Sequence, residues 1–318
     1  MKERTLTGLA IFFVVLVVLL TKIIIGTTII FDIFWTLIMV TCAYEMSNIL
    51  KNGQRPNHFI LITLFPIFLF ALLYTIIALQ LDLVLSGFLV LALVLVFTLI
   101  GFFVTLFSTA RTENEMRTNK IRTSKGAYAF SKSMNNLLGF LYPTVPLMMM
   151  FSLNHLGEFS YLFGSTVPYV STVSIVLVAL CFLVPFICDT FAYFVGKTFG
   201  GPRLCPKISP KKTISGFIGG VLATILILLV VYFVLSSIPS LQSAISAIGF
   251  EWWSVALIGL LGSLACTGGD LFESFMKRKA GLKDSGNILP GHGGFLDRLD
   301  GFVFVVPVIM IVALIIAL

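Results

Sequence analysis

Apolar runs long enough to cross a bilayer recur along almost the whole chain, and that repetition decides the class of fold before any other feature. A helix needs roughly 20 apolar residues to span about 30 Å of hydrocarbon at about 1.5 Å per residue. Nine runs qualify: Leu6–Ile25, Thr28–Leu50, Phe59–Leu79, Leu83–Phe107, Asn136–Leu153, Pro168–Ile187, Ile214–Val234, Trp252–Thr267 and Leu299–Leu318. With 58% hydrophobic residues, the chain carries more apolar side chains than a soluble core of 318 residues would bury. The runs lack the polar–apolar alternation of a membrane barrel. The expected fold class is all-α, a polytopic integral membrane protein with about nine transmembrane helices. Pro143 and Pro146 break the fifth run, because proline interrupts the backbone ladder. The N-terminus has a basic flank before its apolar run, as a signal peptide does. The length of that run and the lack of a small-residue cleavage site predict a retained span instead.

The basic residues set the topology. Every one of the 21 Lys and Arg residues except Lys22 lies in the N-terminal tail or in the second-to-third, fourth-to-fifth, sixth-to-seventh or eighth-to-ninth connection. The opposite connections carry Asp82, Glu158 and Glu251 and no Lys or Arg. Basic loops stay in the cytoplasm, so nine spans place the N-terminus inside and the C-terminus outside. The net charge of +7 is then a cytoplasmic charge. Attraction to anionic lipid accounts for Lys51, Arg55 and much of the stretch from Arg111 to Lys132. The five cysteines have no CxxC spacing and read as small buried hydrophobes. His58 and His155 read as isolated loop residues. Gly259, Gly262, Ser263, Gly268 and Gly269 would let the eighth span pack closely.

Only 11% of the residues are charged, yet one short run gathers both signs. It holds Asp270, Glu273, Asp284, Asp297 and Asp300 with Lys277, Arg278, Lys279, Lys283 and Arg298. Charge at a membrane edge is costly and marks a ligand site. Asp270, Ser274, Lys277 and Arg278 share one helical stripe. The stretch from Gly286 to Gly294 breaks the helix and turns the chain back. Gly293 and Gly294 could offer backbone N–H groups to a phosphate, and His292 lies in the same turn. Asp297 and Asp300 share a face at the start of the ninth span. Two antiparallel helices would bring Asp270 to Asp297 and Asp300. Hard oxygen ligands without His or Cys favour Mg²⁺ shared with substrate phosphates; the alternative is that these aspartates cap helices and pair with Arg298 or Lys277. A second polar stretch, Cys188 to Gly220, has Asp189 at the end of the sixth run. In it Ser209, Lys211, Lys212 and Thr213 precede the seventh, where a helix N-terminus would suit a polyphosphate.

These motifs resemble a known family. Ser274-x-x-Lys277-Arg278-x4-Lys283-Asp284-x-Gly286, followed by Leu289-Pro290-x-His292-Gly293-Gly294-Phe295-x-Asp297-Arg298-Leu299-Asp300, is similar to the signature of phosphatidate cytidylyltransferases. The block from Asp189 to Gly216 is similar to that family's other polar loop, whereas the first 130 residues or so match only as apolar spans. The chain departs at Phe191, where a small residue is usual, and at Ser215, where an acidic or amide residue is usual. The resemblance implies transfer of a cytidylyl group from CTP to phosphatidic acid, giving CDP-diacylglycerol and pyrophosphate. It implies a catalytic set of Asp270, Asp297, Lys277, Arg278, Lys283 and His292, with Asp270, Asp297 and Asp300 on Mg²⁺ and a second cation such as K⁺. Asp189, Ser209, Lys211, Lys212, Thr213, Ser274, Gly293, Gly294 and Arg298 are the expected substrate-binding residues.

The expected partners are CTP, phosphatidic acid and membrane lipids, with no nucleic acid and with homodimer formation left open. The expected location is the cell membrane, with the active site on the cytoplasmic face. Residues 1–132 form an N-terminal transmembrane region; residues 133–318 form a catalytic region with polar loops 188–216 and 270–300. The rival readings are a CTP-dependent lipid-alcohol kinase and a transporter for an anionic solute; the latter needs charge deep within several spans.

Overall fold

The computed structural model describes residues 28–53, 56–118, 122–158, 170–239, 242, 245, 250–289 and 293–317. The first expected span, Leu6–Ile25, lies outside them. Among the described residues, eight helical stretches are long and apolar enough to cross a membrane. They correspond one for one to the second through ninth expected runs, and the chain is an α-helical, multi-pass membrane protein.

The chain divides into two compact units, the first extending to Met148 and including Met276–Asp297, the second comprising Met149–Phe275 and the residues from Arg298 onward. The first unit contains α1 (Ile29–Asn52), α2 (Phe59–Leu79), α3 (Leu83–Phe107), the short α4 (Thr109–Thr118) and α5 (Lys125–Gly139). A π-helical turn, Phe140–Thr144, leads into α6 (Val145–Asn154). The second unit contains α7 (Val170–Phe199), a hairpin of β1 (Arg203–Cys205) and β2 (Ser209–Thr213), and α8 (Ile214–Ser236). Helices α9 (Trp252–Lys279) and α10 (Leu296–Ala317) contribute to both.

The core of the first unit is aromatic. Phe65 packs on Phe140 with ring centroids 4.7 Å apart, and Phe97 meets both rings edge-on or nearly so. Trp35 is buried on α1, and its indole N–H donates to the Leu147 carbonyl at 2.7 Å. Ile33 and Leu37 on the same helix point outward and are more than half exposed. A helix apolar all round needs that arrangement, with one face in protein and the other in lipid.

Besides the eighth, whose helix continues past Thr267 to Lys279 as the Asp270–Arg278 stripe implied, two spans differ from the sequence expectation. The fifth begins at Lys125 instead of Asn136, with Ser124 capping it by accepting from the Ala127 N–H. Its polar first turns fit because Glu115 takes Lys132 at 2.7 Å and the Tyr128 hydroxyl at 3.1 Å. Pro143 is absorbed by a kink in the Phe140–Thr144 turn, where Tyr142 adopts φ −125° and ψ 123°, and Pro146 falls in the first turn of α6. That extended geometry is what a residue preceding proline prefers. The sixth span does not end at Ile187 but runs on to Phe199, so Asp189 sits inside a helix and not at its end. Gly200 and Gly201, at φ +61° and +103°, stop the helix, a conformation that glycine adopts without strain.

His58 is no idle loop residue. Its backbone N–H donates to Asn136 Oδ1 at 2.7 Å, and the Asn136 amide nitrogen lies 2.8 Å from Nδ1. An amide NH₂ can only donate, so Nδ1 accepts and the ring is the neutral Nε2–H tautomer, with Thr105 Oγ1 3.1 Å from Nε2. Burial first, then the nearby Lys132 charge, lowers its pKa to about 4. Unfolded chains take up a proton near pH 6.5 that the folded chain refuses. Stability is therefore unaffected by His58 above that pH and falls as pH drops from 6.5 toward 4. Thermal melts of wild type and His58→Gln in detergent at pH 7.5, 6 and 5 should converge as pH falls. Parallel curves would show that His58 is not the group responsible.

Candidate functional site

In the second unit, glycines let the helices approach closely enough to gather charged side chains. A Cβ on Gly196 of α7 would lie 2.7 Å from Thr213 Oγ1 and 3.3 Å from the Gly216 Cα. On α8, a Cβ at Gly220 would lie 2.9 Å from the Cys188 carbonyl. Helices α9 and α10 meet in the same way, Gly269 against the Asp300 carbonyl and Gly301 against Cys266 Sγ. Gly259 and Gly262 also pack on Ile225 and Val184, while a Cβ at Gly268 would meet nothing. Small residues serve here as backbone contact points.

These contacts place Asp189 of α7, Lys212 of β2, Asp270 of α9 and Asp300 of α10 in one electrostatic neighbourhood. Lys212 Nζ forms an ion pair with Asp270 Oδ2, and the Ser274 hydroxyl donates to Asp270 Oδ1 at 3.1 Å. Cys266 Sγ lies 3.8 Å from Asp189 Oδ1. Burial works against the Lys212 charge, but Asp270, together with Asp189 and Asp300, outweighs it and holds this lysine above its usual range. That contribution to stability is present throughout neutral pH and is lost only as pH rises through the raised value.

Beside this cluster opens a cavity of about 340 Å³. Lys197, Arg203, Lys211 and Lys212 line it against the single carboxylate Asp189, with Tyr193 and Phe217 as apolar wall. A cavity so positive suits a polyanion. Lys197, Arg203 and Tyr193 were not expected as site residues. The signal for Tyr193 and Lys197 was available, since Asp189, Tyr193, Gly196 and Lys197 share one helical stripe once α7 is known to continue.

Ser209, Lys211 and Lys212 do not form a helix N-terminus as expected. They lie on a strand whose register pairs Arg203 with Thr213 and Cys205 with Ser209. Only Thr213 is the cap, its Oγ1 accepting from the Gly216 N–H at 3.1 Å. Ser209, at the far end of β2, does not line the cavity. Ser215 donates to the Gly200 carbonyl and lies 3.2 Å from Thr213 Oγ1, tying the ends of the hairpin together.

The first unit holds the other half of the charged run. Lys277 Nζ meets Asp297 Oδ1 at 2.6 Å, the two side chains being 9% and 7% exposed. Asp297 Oδ2 accepts the Ser285 and Gly294 N–H groups, both at 2.8 Å. Gly293, at φ +88°, donates its N–H to the Leu289 carbonyl at 3.2 Å. The backbone donors of Gly293 and Gly294, expected to face a phosphate, are thus used to close the turn. Arg278 donates to the Leu282 carbonyl at 3.1 Å, and Lys283 and Arg298 are exposed. His292 lies outside the described residues.

Sequence reasoning missed Glu45. It is fully buried on α1, yet its carboxylate accepts from Ser285 Oγ at 2.9 Å and from the Phe295 and Leu296 N–H groups at 3.1 and 2.9 Å. An acidic residue within an apolar run was the available signal.

Among the described residues, no three Asp, Glu, His or Cys side chains form a ready-made metal cage. The oxygen-rich set around Lys212 nevertheless suits a hard cation that takes one or two carboxylates and fills its shell with water and phosphate oxygens.

A family model described as "Cytidylyltransferase family" matches residues 2–316. A phosphatidate cytidylyltransferase of Staphylococcus epidermidis is 41% identical over 134 residues, 42% of this chain and 47% of the relative. Proteins of the same name from Staphylococcus haemolyticus and Staphylococcus aureus are 42% and 44% identical over 130 and 131 residues, in each case 41% of this chain and 46% of the relative. The chain spans about half the length of the curated relatives it matches.

Proposed function

The chain belongs to the cytidylyltransferase family, and we propose that it transfers the cytidylyl group of CTP to phosphatidic acid, giving CDP-diacylglycerol and pyrophosphate in phospholipid biosynthesis. The observation that carries this reading is the pairing of a strongly basic cavity with the carboxylates around Lys212 in a membrane-embedded helical unit. Such a site binds phosphates of both substrates and needs no side-chain nucleophile, because the lipid phosphate is one already.

In the reaction, an oxygen of the lipid phosphate forms a bond to the α-phosphorus of CTP. The bond from that phosphorus to the β-phosphate's bridging oxygen breaks, and pyrophosphate leaves. The protein's work is alignment and neutralisation of charge. Lys197, Arg203, Lys211 and Lys212 hold phosphate oxygens, and Ser274 orients the Asp270 carboxylate. Asp270, with Asp189 or Asp300 beside it, would hold Mg²⁺. When bound, Mg²⁺ supplies charge neutralisation on the triphosphate and the departing pyrophosphate. Asp297, expected as a further ligand, has one oxygen on Lys277 and the other on two backbone N–H groups, so in this reading it fixes Lys277. A second cation such as K⁺ belongs to the same proposal.

The finer topology is also proposed: nine spans, N-terminus cytoplasmic and C-terminus outside, in the cell membrane with the active site on the cytoplasmic face. So are the catalytic assignment of residues 133–318 and a homodimer. The one-sided distribution of Lys and Arg supports the orientation.

The test is incubation of purified protein with α-labelled and, separately, γ-labelled CTP, Mg²⁺ and either phosphatidic acid or diacylglycerol. Lipid labelled from α-CTP with phosphatidic acid alone is the expected result. Lipid labelled from γ-CTP with diacylglycerol would instead identify a CTP-dependent lipid kinase.

A further inference from the structure

We infer that Glu45 is a positioning residue for the transfer reaction, fixing the turn that holds Asp297 and Lys277. This inference rests on the cytidylyltransferase reading of the site.

An acidic side chain inside a span is retained only where polar partners converge on it. Glu45 has three donors, two from the segment joining α9 to α10 and one from the first residue of α10. The Leu296 N–H is one of the groups left without an intrahelical partner at the start of α10, so Glu45 caps a helix from across the fold. Ser285 is shared: its hydroxyl donates to Glu45 and its N–H to Asp297. Gly286 and Gly294 enclose the carboxylate so closely that a Cβ on Gly286 would fall 2.6 Å from Glu45 Oε1, and one on Gly294 would collide with Oε2. The turn is therefore closed around two carboxylates, Glu45 and Asp297. Moving Glu45 moves Ser285 and Gly294, and with them the groups that aim Asp297 at Lys277. Its role is indirect, since Glu45 meets the turn and not a reacting atom.

Glu45→Gln keeps the shape but places an amide NH₂ against donors. In folded protein, kcat should fall about 10- to 100-fold, with KM for CTP and for phosphatidic acid within about threefold of wild type. Glu45→Asp retains the charge and should regain part of the loss. Hydrogen exchange of peptides covering residues 281–297 should accelerate in Glu45→Gln, while peptides from 214–236 stay unchanged. A purely structural role would lower folded yield without changing kcat per folded molecule. Should Glu45→Gln not fold, Ser285→Ala removes only one of the three donors and should lower kcat about threefold to tenfold. Unaltered kcat in the folded variants, or unaltered exchange in 281–297, would overturn the inference. Wild type assayed alongside separates the two ideas. Absence of labelled lipid there refutes the cytidylyltransferase reading, whereas the exchange result decides independently whether Glu45 holds the turn.

Discussion

Asp270→Asn will lower the turnover of CTP and phosphatidic acid by about 10³-fold at saturating Mg²⁺ while leaving the protein folded. The asparagine amide oxygen can still accept the Ser274 hydroxyl, so the local geometry survives. The lost ion pair with Lys212 is mostly buried, so the variant loses some stability, which Asp189 and Asp300 near the lysine partly offset. What disappears is the negative charge on which a phosphate-bound cation would depend. Asp189 and Asp300 remain near Lys212 in the variant and still favour its charge. Asp270→Glu, which keeps the carboxylate one methylene further out, should retain more activity than Asp270→Asn. Melting curves in detergent and formation of labelled lipid would be measured on the same preparations. Near-wild-type turnover in Asp270→Asn would remove Asp270 from the metal assignment.

The sequence announces the spans because each is a local pattern. Phe59–Leu79 is reproduced to the residue, and Leu83–Phe107 likewise. Local patterns fail where partners come from elsewhere in the chain. Lys132 looks like a loop residue until Glu115 is seen to receive it. The Ser209–Thr213 segment reads as the approach to a helix because its pairing partner, Arg203–Cys205, reveals itself only in the folded hairpin. Glu45 is the extreme case, since its donors lie 240 to 251 residues further along the chain. Residue types in the two polar loops pointed to phosphate chemistry. Which donors remain for a phosphate was not legible, because Gly293 and Gly294 turn their N–H groups inward. A motif names the chemistry of its residues, and only the fold distributes their hydrogen bonds.

Lys277→Met should destabilise the protein by about 3–5 kcal/mol, because it strips the cation from a carboxylate that is 7% exposed. For a chain of this size that corresponds to a melting shift of about 4–8 °C. Asp297 would keep the Ser285 and Gly294 N–H groups, which are too few donors for a buried charge deprived of its ammonium. Adding Asp297→Asn in the same chain removes that charge while leaving an oxygen for the two backbone donors. The double variant should therefore recover about half of the lost stability or more. Turnover should stay at least about 100-fold down in both, since neither restores a cation at position 277. Equal melting temperatures for the single and double variants would show that the buried charge is not what the lysine balances. A Lys277→Met protein that melts early yet turns over normally would leave the pair as a brace alone. Recovery of stability without recovery of turnover is what separates an ion pair that merely closes the turn from one that also serves the phosphates.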